Sequence, residues 1–81
     1  MNASAVTDII EVYRQSSDHF LEIYTLGSSE DPFKFKAGLQ ININLKLGVL
    51  EVYHRENDLT FIDMDKILAI CVIAPFKAKE Y

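Results

Sequence analysis

The sequence predicts a mostly β domain: an N-terminal helix followed by a strongly bent, five-stranded antiparallel barrel. Three observations predict it. Residues 33–47 alternate apolar and non-apolar side chains without a break, residues 67–74 are uniformly apolar, and residues 4–16 carry apolar side chains at helical spacing.

The chain of 81 residues is read as one domain, with the helix over 4–16, the barrel over 19–75 and a loose tail over 76–81. A domain this small buries only about 60% of the surface that its unfolded chain exposes. Yet 49% of the residues are hydrophobic and 11% are aromatic. The excess needs a place to go, and a subunit interface is the simplest one, so self-association is expected.

Val6, Ile9, Ile10 and Tyr13 recur at i, i+3, i+4 and i+7 and give the helix one apolar face. Ser4 or Thr7 is placed to cap it, and Asp8 and Glu11 favour its early turns. Ser16-Ser17-Asp18 ends it. A helix this short is marginal alone and must dock on something.

The first strand is expected over 19–26, where Phe20, Leu21, Ile23 and Tyr24 suit a half-buried pleated surface. Gly27 to Pro32 reads as a loop. From Phe33 to Leu47 every odd position is apolar and no even one is. Period two means strand. A straight strand of that length would span about 50 Å at about 3.3 Å per residue, too long for so small a domain. Its parity never flips, so it is expected to be one strand bent at Gly38, where the missing side chain permits a kink. The flip comes at Gly48-Val49, which suits a two-residue turn with Leu45 opposite Val52 and Lys46 opposite Glu51. A bulge at Gly48 is the alternative. Residues 50–54 form the third strand and 59–62 the fourth, joined by a four-residue loop that sets Val52 beside Phe61 and His54 beside Leu59. Asp63 to Lys66 is a short polar interruption. The fifth strand, 67–74, ends at Pro75 and has no polar face. It must be covered on both faces, within a barrel or against a neighbouring subunit.

The formal net charge is −4 and the isoelectric point about 4.9. Dedicated binders of duplex DNA or of a membrane surface are normally basic, so neither partner is expected. The single cysteine, Cys71, excludes a disulfide framework within one chain and a zinc cluster, and points to a reducing, cytoplasmic setting. No signal peptide is expected. The apolar run from Ile67 to Ala74 is far short of the ~20 residues that a membrane helix needs.

Little in the sequence offers catalysis. His19 and His54 are the histidines, and Cys71 sits in the most apolar strand, where a thiol is expected to be buried and inert. Asp63 and Asp65 could meet a hard cation, but two carboxylates on a turn read more simply as a solvated turn. No phosphate loop, dinucleotide fingerprint or nucleophile elbow is present. We therefore expect no catalytic residue, no metal, no cofactor and no enzyme activity. Lys34, Lys36, Gln40, Asn42, Asn44 and Lys46 line the polar face of the long strand. That face is either simply wet or a basic, amide-rich track for a nucleic-acid strand, with Tyr24 or Tyr53 as stacking platforms.

Phe61-Ile62-Asp63-Met64-Asp65-Lys66-Ile67-Leu68-Ala69-Ile70 resembles the second motif of the Sm-like family, to which the bacterial Hfq and the eukaryotic and archaeal Lsm proteins belong. That motif reads Phe-Ile-Arg-Gly-Asp-Asn, then three aliphatics and Ile. Phe61, Ile62, Asp65 and Ile70 match it outright. Asp63-Met64 stand where the family has Arg-Gly, and Lys66 stands for its asparagine. Gly38 could stand for the family's strand-bending glycine. The order of elements, a short helix and five bent strands, resembles the family's SH3-like barrel over nearly the whole chain.

The resemblance implies a homo-oligomeric ring, closed by pairing the fourth strand of one subunit with the fifth of the next. It also implies binding of single-stranded RNA near the pore. The RNA-binding candidates are Asn42, Asn44, Lys46 and Lys66. The interface candidates are Phe61, Ile67, Ile70 and Val72. Two other readings stay open: an assembly module that joins proteins without RNA, and an unrelated small barrel whose last strand is buried within one chain.

Overall fold

A computed structural model of the chain describes residues 1–27, 31–55 and 57–75. Part of the expected loop at 27–32, Glu56 of the expected four-residue loop, and the expected tail at 76–81 lie outside the described residues. Helix α1 spans Ala3–Gln15. Its cap is neither Ser4 nor Thr7. Asn2 takes that place, and its Oδ1 accepts the N–H of Ala5 at 2.8 Å. The Thr7 hydroxyl instead donates to the carbonyl of Ala3. Val6, Ile10 and Tyr13 form the buried face. At the other end the N–H of Ser16 donates to the carbonyl of Tyr13.

Six strands follow: β1 (Phe20–Thr25), β2 (Phe33–Phe35), β3 (Gln40–Asn44), β4 (Val49–Arg55), β5 (Asp58–Asp63) and β6 (Ile67–Ile73). A short 3-10 turn, Met64–Lys66, separates the last two. The strands make two antiparallel sheets, in the orders β2-β1-β6 and β3-β4-β5. Both sheets and α1 share one core, in which Val6, Ile10, Leu21, Ile23, Ile41, Leu50 and Val52 are the largest side chains fully removed from water. Each contributes about 1.5–3 kcal/mol relative to exposure. Among the described residues no helix is long and apolar enough to cross a membrane.

The expected long strand is therefore two strands. They part at Gly38, whose φ of +80° lies in the left-handed region and breaks the extended run. The break carries the chain from one sheet to the other. Within the run Phe35 and Ile41 are buried and Lys34, Gln40 and Asn42 lie outside, as expected, although Phe33 at its start is 38% exposed. Alternation fails beyond Ile43, because Leu45 and Leu47 lie in a turn and are 70% and 65% exposed. That turn is longer than the sequence suggests. The N–H of Gly48 (φ +70°) donates to the carbonyl of Asn44 at 2.8 Å, so four residues connect β3 to β4. The register follows: Ile41, not Leu45, lies opposite Val52, and Asn42, not Lys46, opposite Glu51.

The β4–β5 pairing also slips by one. Val52 lies opposite Thr60 and Glu51 opposite Phe61. Near the loop Arg55 lies opposite Asp58, so the extra residue sits between Tyr53 and Arg55, at His54. A one-residue slip moves a strand's side chains to the other face. Phe61 is thereby turned outward, 57% exposed, while Ile62 is buried opposite Leu50.

Candidate binding and assembly surfaces

Three of the four RNA-binding candidates share one shallow groove. Asn42 and Asn44 project from the outer face of β3, Lys46 follows in the turn, and Arg14 and Glu51 complete a space of about 700 Å³. The amides are already engaged. Asn44 donates to Glu51 Oε2 at 3.0 Å and accepts the N–H of Leu47 through Oδ1, also at 3.0 Å. Asn42 reaches the Tyr53 hydroxyl at 3.4 Å, and that hydroxyl reaches Glu51 Oε1 at 3.4 Å, both at the weak end of hydrogen bonding. Arg14 is committed to Glu11 at 2.5 Å and to the carbonyl of Ile41. Lys46 forms no ion pair among the described residues, which leaves it the free cation of the groove.

Lys66 belongs to the neighbouring 3-10 turn. The two turns are joined, because Met64 donates its N–H to the carbonyl of Gly48 at 3.0 Å. Met64 is buried and anchors this junction. Asp63 caps the 3-10 turn through Oδ1, which accepts the N–H of Asp65 at 3.0 Å. Asp63 and Asp65 thus act as turn residues on an exposed surface, as expected for a solvated turn. Glu51 shares the groove with Lys46, and Asp63 and Asp65 share the 3-10 turn with Lys66. The sequence set Glu51 opposite Lys46; the structure sets it opposite Asn42 and bonds it to Asn44, because its partner depends on the turn length, which no residue pattern between Asn44 and Leu50 discloses.

The interface candidates divide. Phe61 points outward from β5. Ile67 is buried in the chain's own core, and Ile70 and Val72 pack against that core opposite Ile23 and Leu21. The other face of β6 carries Ala69, Cys71 and Ile73, opposite Tyr24, Glu22 and Phe20. A register shift between Tyr24 and Thr25 leaves Leu68 62% exposed. Cys71 is half-buried on this outer face and not enclosed as expected. Among the described residues each of β5 and β6 pairs with one strand only, so each has an edge that no second strand covers; at the start of β6 the N-terminal ammonium donates to the carbonyl of Ile67 at 2.9 Å.

Across the outer face of β1, the hydroxyl of Tyr24 donates to Glu22 Oε1 at 3.1 Å. That hydrogen bond and the carboxylate's charge push the Tyr24 phenol above its ordinary value. His19 pairs with Asp18 at 2.8 Å on the surface. Among the described residues no three His, Cys, Asp or Glu side chains gather to hold a metal ion.

At the opposite end of the β3–β4 pair from the joined turns lies a second cleft, of about 450 Å³. Lys34, Lys36 and Arg55 surround it, with Asp58 the one carboxylate among the described residues. Comparison with family models, with curated proteins and with solved structures finds no match for the chain.

Proposed function

We propose that this chain assembles with copies of itself by strand pairing, the open edge of β5 in one copy against the open edge of β6 in the next, to give the Sm-like ring that the sequence resemblance implies. The observation that carries this reading is β6. It holds seven residues without a charged, amide or hydroxyl side chain, yet it lies at a sheet edge. Unpaired N–H and C=O groups along such an edge invite another strand, and proteins that stay monomeric usually block it with Lys, Pro or a covering loop. Neither Lys nor Pro interrupts β6. Leu68 and Phe61 supply exposed apolar surface beside the two edges. A closed ring would satisfy both edges in every copy. The lone thiol suits a reducing, cytoplasmic setting.

Native mass spectrometry of the purified chain tests the proposal. A closed oligomer of roughly five to seven copies, as the resemblance implies, supports it. A monomer at every concentration sinks it.

A second reading adds single-stranded RNA. Its support is the junction that brings the turn of Lys46 beside the turn of Lys66, next to the amides of Asn42 and Asn44. The carboxylates of Glu51, Asp63 and Asp65 among these cations weigh against it, since phosphate binding rests on cations. Short oligo-U and oligo-A RNAs added to the same sample separate the readings. RNA uptake that is lost in a Lys46→Glu, Lys66→Glu variant supports RNA binding. A ring that ignores both RNAs supports assembly alone.

A further inference from the structure

We propose that the cleft between Lys36 and Arg55 binds the phosphate of a small ligand, and that His54 offers the ring of that ligand, a nucleotide, a flat surface. The proposal does not rest on the assembly reading. It starts from charge. In a chain of formal net charge −4, this cleft of about 450 Å³ gathers Lys34, Lys36 and Arg55 and, among the described residues, the carboxylate of Asp58 alone. Among the described residues neither lysine forms an ion pair. Arg55 meets Asp58 at 3.6 Å, with their side chains 83% and 60% exposed. A pair so solvated is weak, and an entering dianion can displace it. Arginine supplies a planar fork that matches phosphate oxygens, and lysine a mobile point charge beside it.

The cleft is also built, in that its walls are held from behind. Phe35, one of its lining residues, is buried. The His54 ring lies 5.3 Å from the Phe35 ring, and its Nε2 is 2.5 Å from the Thr60 hydroxyl, which fixes its orientation. The β-bulge at His54 aims this side chain and sets the direction of Arg55. Bulges commonly re-aim side chains in this way beside binding sites. Lys36 is positioned by its own backbone, because its carbonyl accepts the Tyr13 hydroxyl at 2.6 Å. The volume lies within the range of small-ligand sites, and base stacking on a ring needs no sequence-specific contact.

Isothermal titration of the full chain at low salt, with ADP, inorganic pyrophosphate and oligo-U as probes, tests this. The expected result is saturable ADP binding, weaker pyrophosphate binding, and about a tenfold loss of both in Arg55→Gln or Lys36→Gln, the effect of one charge-assisted hydrogen bond. Leu26→Glu, at an exposed position outside both clefts, lowers the net charge by the same one unit and should change neither. Thermal melting of each variant shows whether the fold persists, and the exposed Lys36 and Arg55 should leave it intact. No binding of ADP or pyrophosphate overturns the proposal, as does an equal loss in Leu26→Glu. Equal affinity for ADP and pyrophosphate removes the ring contact at His54. Oligo-U binding the cleft more tightly than ADP would overturn the choice of a free nucleotide over a polynucleotide backbone.

Discussion

Tyr13 donates its phenolic hydrogen to the carbonyl oxygen of Lys36 at 2.6 Å. The bond ties the helix to the bend that carries the chain from one sheet to the other. On the far side of that bend, the same phenolic oxygen accepts the N–H of Leu39 at 3.0 Å. Tyr13→Phe keeps the ring and leaves both backbone groups without their partner. The expected cost is about 1–3 kcal/mol, read as a lower urea midpoint at unchanged slope. A midpoint equal to that of the parent chain would mean that water replaces the hydroxyl.

Gly38 has φ +80°, and a Cβ added there would meet nothing within 4 Å. Substitution is therefore opposed by backbone conformation alone. Gly38→Ala should cost about 1–2 kcal/mol, and Gly38→Asn less, because asparagine tolerates the left-handed region. Thermal melts of the two variants rank them. An alanine variant as stable as the parent would show that the bend can be made in another conformation.

Leu68 and Phe61 are 62% and 57% exposed in a single copy. If open edges pair between copies, Leu68→Lys and Phe61→Lys should dissociate the assembly and leave far-ultraviolet circular dichroism unchanged. Sedimentation velocity reads the first and spectroscopy the second. Variants that unfold would instead place these side chains in the chain's own stability.

The Tyr24 phenol is raised by the hydrogen bond it donates to Glu22 and by that group's negative charge, both of which favour the protonated form. Glu22→Gln removes the charge, so Tyr24 should ionise at a lower pH in the variant, nearer its ordinary value of about 10. Ring resonances of Tyr24 followed by NMR through alkaline pH measure the shift. No change would mean that the hydroxyl points elsewhere in solution.

Much of this fold can be read from residues. The helix was legible because Val6, Ile10 and Tyr13 repeat at its period, and β3 because Ile41 and Ile43 alternate with amides. Gly38 marked the bend, although it divides two strands where one was expected. Registers were not legible. Leu45 and Leu47 continue the alternation into the turn, so nothing local shows that the strand has ended at Asn44. The bulge at His54 has no side-chain signature either, and it reverses the facing of Phe61. The grouping of Lys36 with Arg55 depends on both features. It was invisible for the same reason: it is a product of three-dimensional register and not of spacing along the chain.

The pairing of β6 has a kinetic consequence. Sheet β3-β4-β5 is a run of neighbouring hairpins, whereas β6 pairs with β1, matching Phe20 to Ile73 across most of the chain. Contacts between distant segments form late, after nearby ones have shortened the path between them. The meander should thus nucleate folding, and β6 should dock last. In stopped-flow refolding, Val52→Ala should slow folding, while Val72→Ala should mainly speed unfolding. Until docking, the least polar strand of the molecule waits in the open. The yield of folded protein should then fall with concentration during refolding, a race between closing one's own sheet and joining a stranger's.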